Sequence, residues 1–149
     1  KVIGYAVSPY LDTTLTLEAL RMAIRGRQPG PGVTHHSDQG VQYASTEYIQ
    51  ELQNHGFLIS MSRTGNPYDN AMMESFFKTL KYEEVYLCEY ETMEDVLARL
   101  PHFIKEVYNH KRLHSGIGYR SPDDFEELLA IKQNTVASCQ TLLTSPVQS

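Results

Sequence analysis

Residues 35–43 read HHSDQGVQY, and where this stretch sits decides how the chain folds. Pro29-Gly30-Pro31-Gly32 ends a loop just before it, and Val33 begins a short β-prone run. A lone acid, Asp38, stands where that run stops, with Gly40 two places later. A carboxylate at a strand tip is held rigidly, while the loop after it stays open to substrate. The alternative is a turn acid bonded to its own backbone. The residues downstream bear on the choice.

The chain has 149 residues, which suits one domain of ordinary size with a real core. It is 41% hydrophobic and 21% charged, a globular composition that argues against wholesale disorder. No apolar run approaches the roughly 20 residues of a membrane span. The opening KVIGYAVSP is too short in its apolar part to be a secretory signal. Cys88 and Cys139 lie far apart and outside any C-x-x-C, which suggests a reducing, cytoplasmic setting and no disulfide framework.

A net charge of −5 carries no global signature of nucleic-acid binding. Locally the balance changes. Lys105, Lys111, Arg112 and Arg120 stand with His102, His110 and His114 between two acidic runs, residues 83–95 and 123–127. Such alternation suits a solvated surface as well as it suits a binding face.

Val2, Ile3, Tyr5 and Val7 suit a strand ended by Pro9. Asp12 to Thr14 offer caps for a helix carrying Leu17, Leu20 and Ile24. A second strand leads to Asp38. Ser45 caps a helix ending at Asn54-His55-Gly56, and Phe57 to Met61 is a third strand. RTGNPYDN, residues 63–70, reads as a loop. Asn70 then caps a helix over about residues 71–82. Thr92 and Asp95 form a capping box for another, whose stripe of Val96, Leu100, Ile104 and Val107 is interrupted by Pro101 and should kink or split there. Ser121-Pro122-Asp123-Asp124 opens a last short helix. After Lys132 the sequence reads as a loose tail. Strands alternate with helices and the chain ends in helices, an α/β pattern.

In NAMMESFFKTLK, residues 70–81, Met73, Phe77 and Leu80 make a core face. Glu74, Lys78 and Lys81 repeat that spacing one residue on, about 100° round the helix. One stripe packs and its neighbour presents a carboxylate and two ammonium groups. An ordinary i,i+4 ion pair between Glu74 and Lys78 accounts for the same pattern. Between Asp38 and Glu74 lie 35 residues.

This arrangement, with HSDQG and NPYDNAMMESFFKTLK around the two acids, resembles the retroviral-integrase-like core of IS3-type insertion-sequence transposases. The run YNHKRLHSGIGYRSPDDF, residues 108–125, is similar to the family's C-terminal signature. The resemblance covers nearly all of residues 1–130, with three blocks in the same order and spacing. It implies a ribonuclease-H-like fold and metal-dependent DNA strand cleavage and strand transfer by a D-D-E triad. Asp38 would be its second acid and Glu74 its third, together holding Mg²⁺ or Mn²⁺, two ions in the complete enzyme. Lys78 and Lys81 would meet DNA phosphates. Tyr68 and Asn70 would shape the active-site loop or touch the DNA end. Arg112 and His114 would bind backbone phosphate or serve a structural role. His35 and His36, adjacent in a strand, point to opposite faces and do not suit one zinc ion.

The family pattern places a first aspartate upstream of the strand that resembles KVIGYAV. Asp12, the one aspartate before Asp38, is better placed as a helix cap. The expectation is therefore a core over residues 1–130, incomplete at its N-terminal side, with a loose tail over 131–149 and no catalysis by this chain alone. An exposed sheet edge would then favour a homodimer. The setting expected is the bacterial cytoplasm, with transposon ends and target DNA as partners and no membrane or small-molecule cofactor. A second reading is a non-catalytic DNA-binding or assembly module derived from a transposase.

Overall fold

Asp12 Oδ1 accepts the Leu15 N–H at 2.9 Å, and α1 (Thr13–Arg27) follows from that cap. The computed structural model describes residues 1–62 and 71–143, with 136–143 by backbone only. It divides into two compact units, one of residues 3–97 and one of residues 1–2 with 98 onward, the division falling inside a helix.

In the first unit, Thr34–Ser37 forms β1 and Leu58–Met61 forms β2, paired in parallel with His35 opposite Ile59 and His36 opposite Ser60. Parallel strands need a crossover, and here α2 (Thr46–Asn54) supplies it, capped by Ser45 Oγ, which accepts the Tyr48 N–H at 3.3 Å. Gly56, at φ 71°, turns the chain out of α2 into β2, as Asn54-His55-Gly56 foretold. The helical spacing of Leu17 and Leu20 on α1 and of Tyr48 and Leu52 on α2 brings these four together as the buried core, with Ile24, Tyr43 and Phe57 against it. Arg21 and Glu51 bridge the two helices at 2.7 Å.

The strand expected at residues 2–7 is absent: these residues pair with no strand. A ladder needs a partner, and β1 pairs with β2. The segment lies instead against α1. A Cβ at Gly4 would collide with the Ala19 carbonyl oxygen and come within 2.9 Å of Ala23 Cβ, so only glycine permits this approach.

After the undescribed stretch, α3 (Ala71–Leu80) passes directly into a π-helical segment, Lys81–Val85. Met73 and Phe77 are each 49% exposed, which corrects their expected role as a sealed core face. Their stripe walls a cavity. The capping box is formed: Asp95 N–H donates to Thr92 Oγ1 at 3.2 Å and Thr92 N–H donates to Asp95 Oδ2 at 2.9 Å. It opens α4 (Met93–His102), which becomes π-helical over Phe103–Lys111 just past Pro101. Proline withholds an N–H and crowds the carbonyl four residues before it. Yet the helix expected to split at Pro101 runs on through it, and the change of winding comes two residues later.

In the second unit Phe103 and Ile104 are buried. The buried Asn109 side chain accepts the Val2 N–H at 2.9 Å and donates to Val2 O at 2.8 Å, as a neighbouring strand would. Lys1 Nζ pairs with Asp123 at 2.9 Å and Glu126 at 2.8 Å. His114 and Arg120 form an antiparallel bridge around the turn Ser115–Ile117. Ser121 Oγ then accepts the Asp124 N–H at 3.1 Å and starts α5. That helix runs Pro122–Leu143, past residue 130, where the loose tail was expected to begin. Residues 131–135 contain no proline or glycine to stop it, and Thr135 satisfies its hydroxyl on Ile131 O at 2.9 Å. Among the described residues no helix is long and apolar enough to cross a membrane.

Candidate metal and phosphodiester site

β1 delivers Asp38 to a cavity of about 950 Å³ inside the first unit, and α3 delivers Glu74 to the same cavity. Lys78 and Lys81 line it too, so four of the residues singled out in the sequence converge. Tyr68 and Asn70 lie outside the described residues. Arg112 and His114 belong to the other unit, where Arg112 Nη1 approaches His114 Nδ1 at 3.5 Å and Tyr108 meets the His114 ring at 4.9 Å.

Asp38 is exposed, and its Oδ1 accepts the Gly40 N–H at 2.9 Å. A Cβ at Gly40 would sit 2.9 Å from that same oxygen. Tyr43 N–H and Ala44 N–H close on Gly40 O at 3.0 and 3.1 Å. The glycine two places after the acid is therefore what lets the carboxylate fold back onto its own loop. One oxygen of Asp38 fixes the turn, as a turn acid would, and the residue also lines the cavity.

Beneath it, three rings form a floor. His35 meets Tyr48 at 5.5 Å and Tyr43 meets Tyr48 at 5.3 Å, both edge to face, and Tyr48 OH lies 3.1 Å from His35 Nε2. Burial pushes the Tyr48 hydroxyl far above its ordinary value and holds His35 below its own. Tyr43 is raised by burial and then by the Asp38 charge. These three are neutral at pH 7, and charge in the cavity comes from the carboxylates and the lysines.

The His36 ring is held by two serines. Its Nδ1 lies 2.9 Å from Ser60 Oγ and its Nε2 lies 3.1 Å from Ser62 Oγ, while Ser62 Oγ donates to Ser37 O at 3.2 Å. This clamp fastens the end of β1 to β2 immediately before Asp38. The sequence reading did not include it, and only the pairing of His36 with Ser60 reveals it.

Among the described residues Glu74 and Lys78 make no ion pair with each other, although their spacing allows one. Tyr82 and Tyr86 also line the cavity and were overlooked. Their signal was the same four-residue spacing, continued from Glu74 and Lys78. Hard carboxylate oxygens are what Mg²⁺ takes, and one or two of them suffice beside waters and substrate phosphates. Asp38 and Glu74 fit that donor set. Among the described residues no group of three or more His, Cys, Asp or Glu is arranged to hold a metal.

Two family models, each described as an integrase core domain, match the sequence over residues 1–67 and 55–122. The chain belongs to the integrase core family. Its relatives place this integrase core with those of IS3-type insertion sequences. It is 43% identical over 127 residues to the transposase for insertion sequence element IS904 of Lactococcus lactis, a match spanning 85% of this chain and 50% of that one. It is 39% identical to an uncharacterized 31 kDa protein of insertion element IS600 from Shigella sonnei, over 85% of this chain and 47% of the relative. It is likewise 39% identical to the transposase InsF for insertion sequence IS3A of Escherichia coli, over 84% and 43%. The integrase core spans about half the length, or less, of the curated relatives it matches.

Proposed function

We propose that this integrase core forms part of a DDE-type transposase with a ribonuclease-H-like fold, and that its cavity handles a DNA phosphodiester during strand cleavage and strand transfer. One observation carries the reading: Asp38 and Glu74, with 35 residues between them, line one cavity together with Lys78 and Lys81. Carboxylates alone would repel a phosphate, and lysines alone would bind it without reacting. Acids that can hold a divalent cation, beside ammonium groups that meet the flanking backbone, serve both needs.

Asp38 and Glu74 would hold Mg²⁺ or Mn²⁺, which activates an oxygen nucleophile and stabilises the departing 3′ oxygen, with two ions in the complete enzyme. Asp38 is oriented by Gly40 N–H, and its strand is fastened by His36. Lys78 and Lys81 neutralise phosphates on either side of the scissile one. The first acid of the triad comes from outside the Asp38–Glu74 pair. The partners are transposon ends and target DNA, the assembly is a homodimer, and the setting is the bacterial cytoplasm.

Mn²⁺ titration followed by electron paramagnetic resonance tests the reading on the chain as it stands. Wild type should bind Mn²⁺, and Asp38→Asn and Glu74→Gln should each weaken that binding by about tenfold or more. Unchanged affinity in both variants would remove the two acids from any metal site.

A further inference from the structure

Glu74, Lys78, Tyr82 and Tyr86 are spaced by four residues each. In an α-helix every such step overshoots a full turn by about 40°, so a row of this kind drifts round the axis. Here α3 gives way at Lys81 to the π segment, closed by the Tyr86 N–H to Lys81 O bond at 2.8 Å. The wider turn takes back part of the drift. All four side chains consequently line one cavity.

Tyr82 and Tyr86 are 63% and 65% exposed, too open to be core residues. Their rings meet at 5.3 Å with their planes 87° apart. An edge-to-face pair leaves at least one face of each ring uncovered by the other. Exposed aromatic faces beside ammonium groups are the elements of single-strand recognition: the ring stacks on a base of any sequence and the cation follows the backbone. A fully paired duplex keeps its base faces inside the stack and offers only the outer face of each terminal pair.

We propose that Tyr82 and Tyr86 form a stacking platform for unpaired nucleobases next to the phosphodiester held at Asp38 and Glu74. The site thereby takes a frayed or single-stranded DNA end in preference to a fully paired one. The inference rests on reading the cavity as a DNA site and adds the form of DNA that it accepts.

Fluorescence anisotropy with two labelled oligonucleotides tests it: a blunt duplex, and the same duplex with a short single-stranded extension. Wild type should bind the extended DNA more tightly. Tyr82→Ala or Tyr86→Ala should weaken binding of the extended DNA by about 5- to 100-fold, the loss of one base–aromatic stack, and leave the blunt duplex unchanged. Tyr82→Phe should behave as wild type, since the ring and not the hydroxyl stacks. Both tyrosines are exposed, so circular dichroism should show an unaltered fold. Equal binding of the two DNAs by wild type, or equal weakening of both by the alanine variants, overturns the platform. Tyrosine variants that change sedimentation and not DNA binding also overturn it, because the rings then form a protein contact. If Lys78→Ala weakens both DNAs while the tyrosine variants are silent, the DNA site stands and the platform falls. If wild type binds neither DNA, both readings fall.

Discussion

Asp38 and Gly40 show how much one missing Cβ can decide. Glycine at position 40 has no positive φ to explain it; what it supplies is room for the Asp38 carboxylate to reach its backbone N–H. Gly40→Ala would place a carbon 2.9 Å from Asp38 Oδ1, closer than carbon and oxygen tolerate, and would turn the carboxylate away. The expected outcome is a loss of Mn²⁺ affinity of about tenfold, the scale at which groups that orient a ligand act. Thermal unfolding should barely move, because the loop is exposed. An unchanged Mn²⁺ titration would show that the turn does not aim the acid. HSDQG made the acid and the strand end legible; why a glycine follows two places later shows only in the folded loop. The His36 clamp was not legible, since a strand's partners across a parallel pair lie far away in sequence.

Among the elements, those with local signals were readable. The caps at Asp12, Ser45 and Thr92–Asp95 formed as their side chains require. Pro101 did not split its helix, which changes winding at Phe103 without a break. The π segment at Lys81–Val85 follows no proline or glycine, so nothing local announces it. The strand expected at residues 2–7 failed for a related reason: β-propensity states a preference for a pleated, half-buried place, and pairing depends on what lies alongside. β1 also carries a pH dependence. Burial holds the His35 pKa below its ordinary value, so the unfolded chain binds a proton that the folded one refuses. The stability involved is fully present above about pH 6.5 and declines as the pH falls below that, until the lowered folded value is reached. Melting temperatures recorded by circular dichroism from about pH 7 down to 5 should fall, and His35→Gln should flatten the slope. An identical slope in the variant would assign the pH dependence to other groups.

For the whole molecule, three blocks of sequence identified the family, and the acids they contain do share a cavity. The division into two units was not legible, because no local pattern announces which distant segments will meet. The parallel pair β1–β2 raises the question of association. Parallel sheets are ordinarily covered on both faces, yet Leu58 is 59% exposed, and among the described residues each strand has one edge without a neighbour. Such edges invite pairing. Multi-angle light scattering should therefore find a dimer at micromolar concentration, and a lysine at Leu58 should shift it toward monomer. A monomer in both cases would count against self-association through this sheet. Finally, the Asn109 amide holds a backbone 107 residues away. Synthesis runs in one direction, so Val2 emerges long before the side chain that will claim it. Until then water must occupy both of its hydrogen bonds. Val2 is thus made long before the residue that fixes its place.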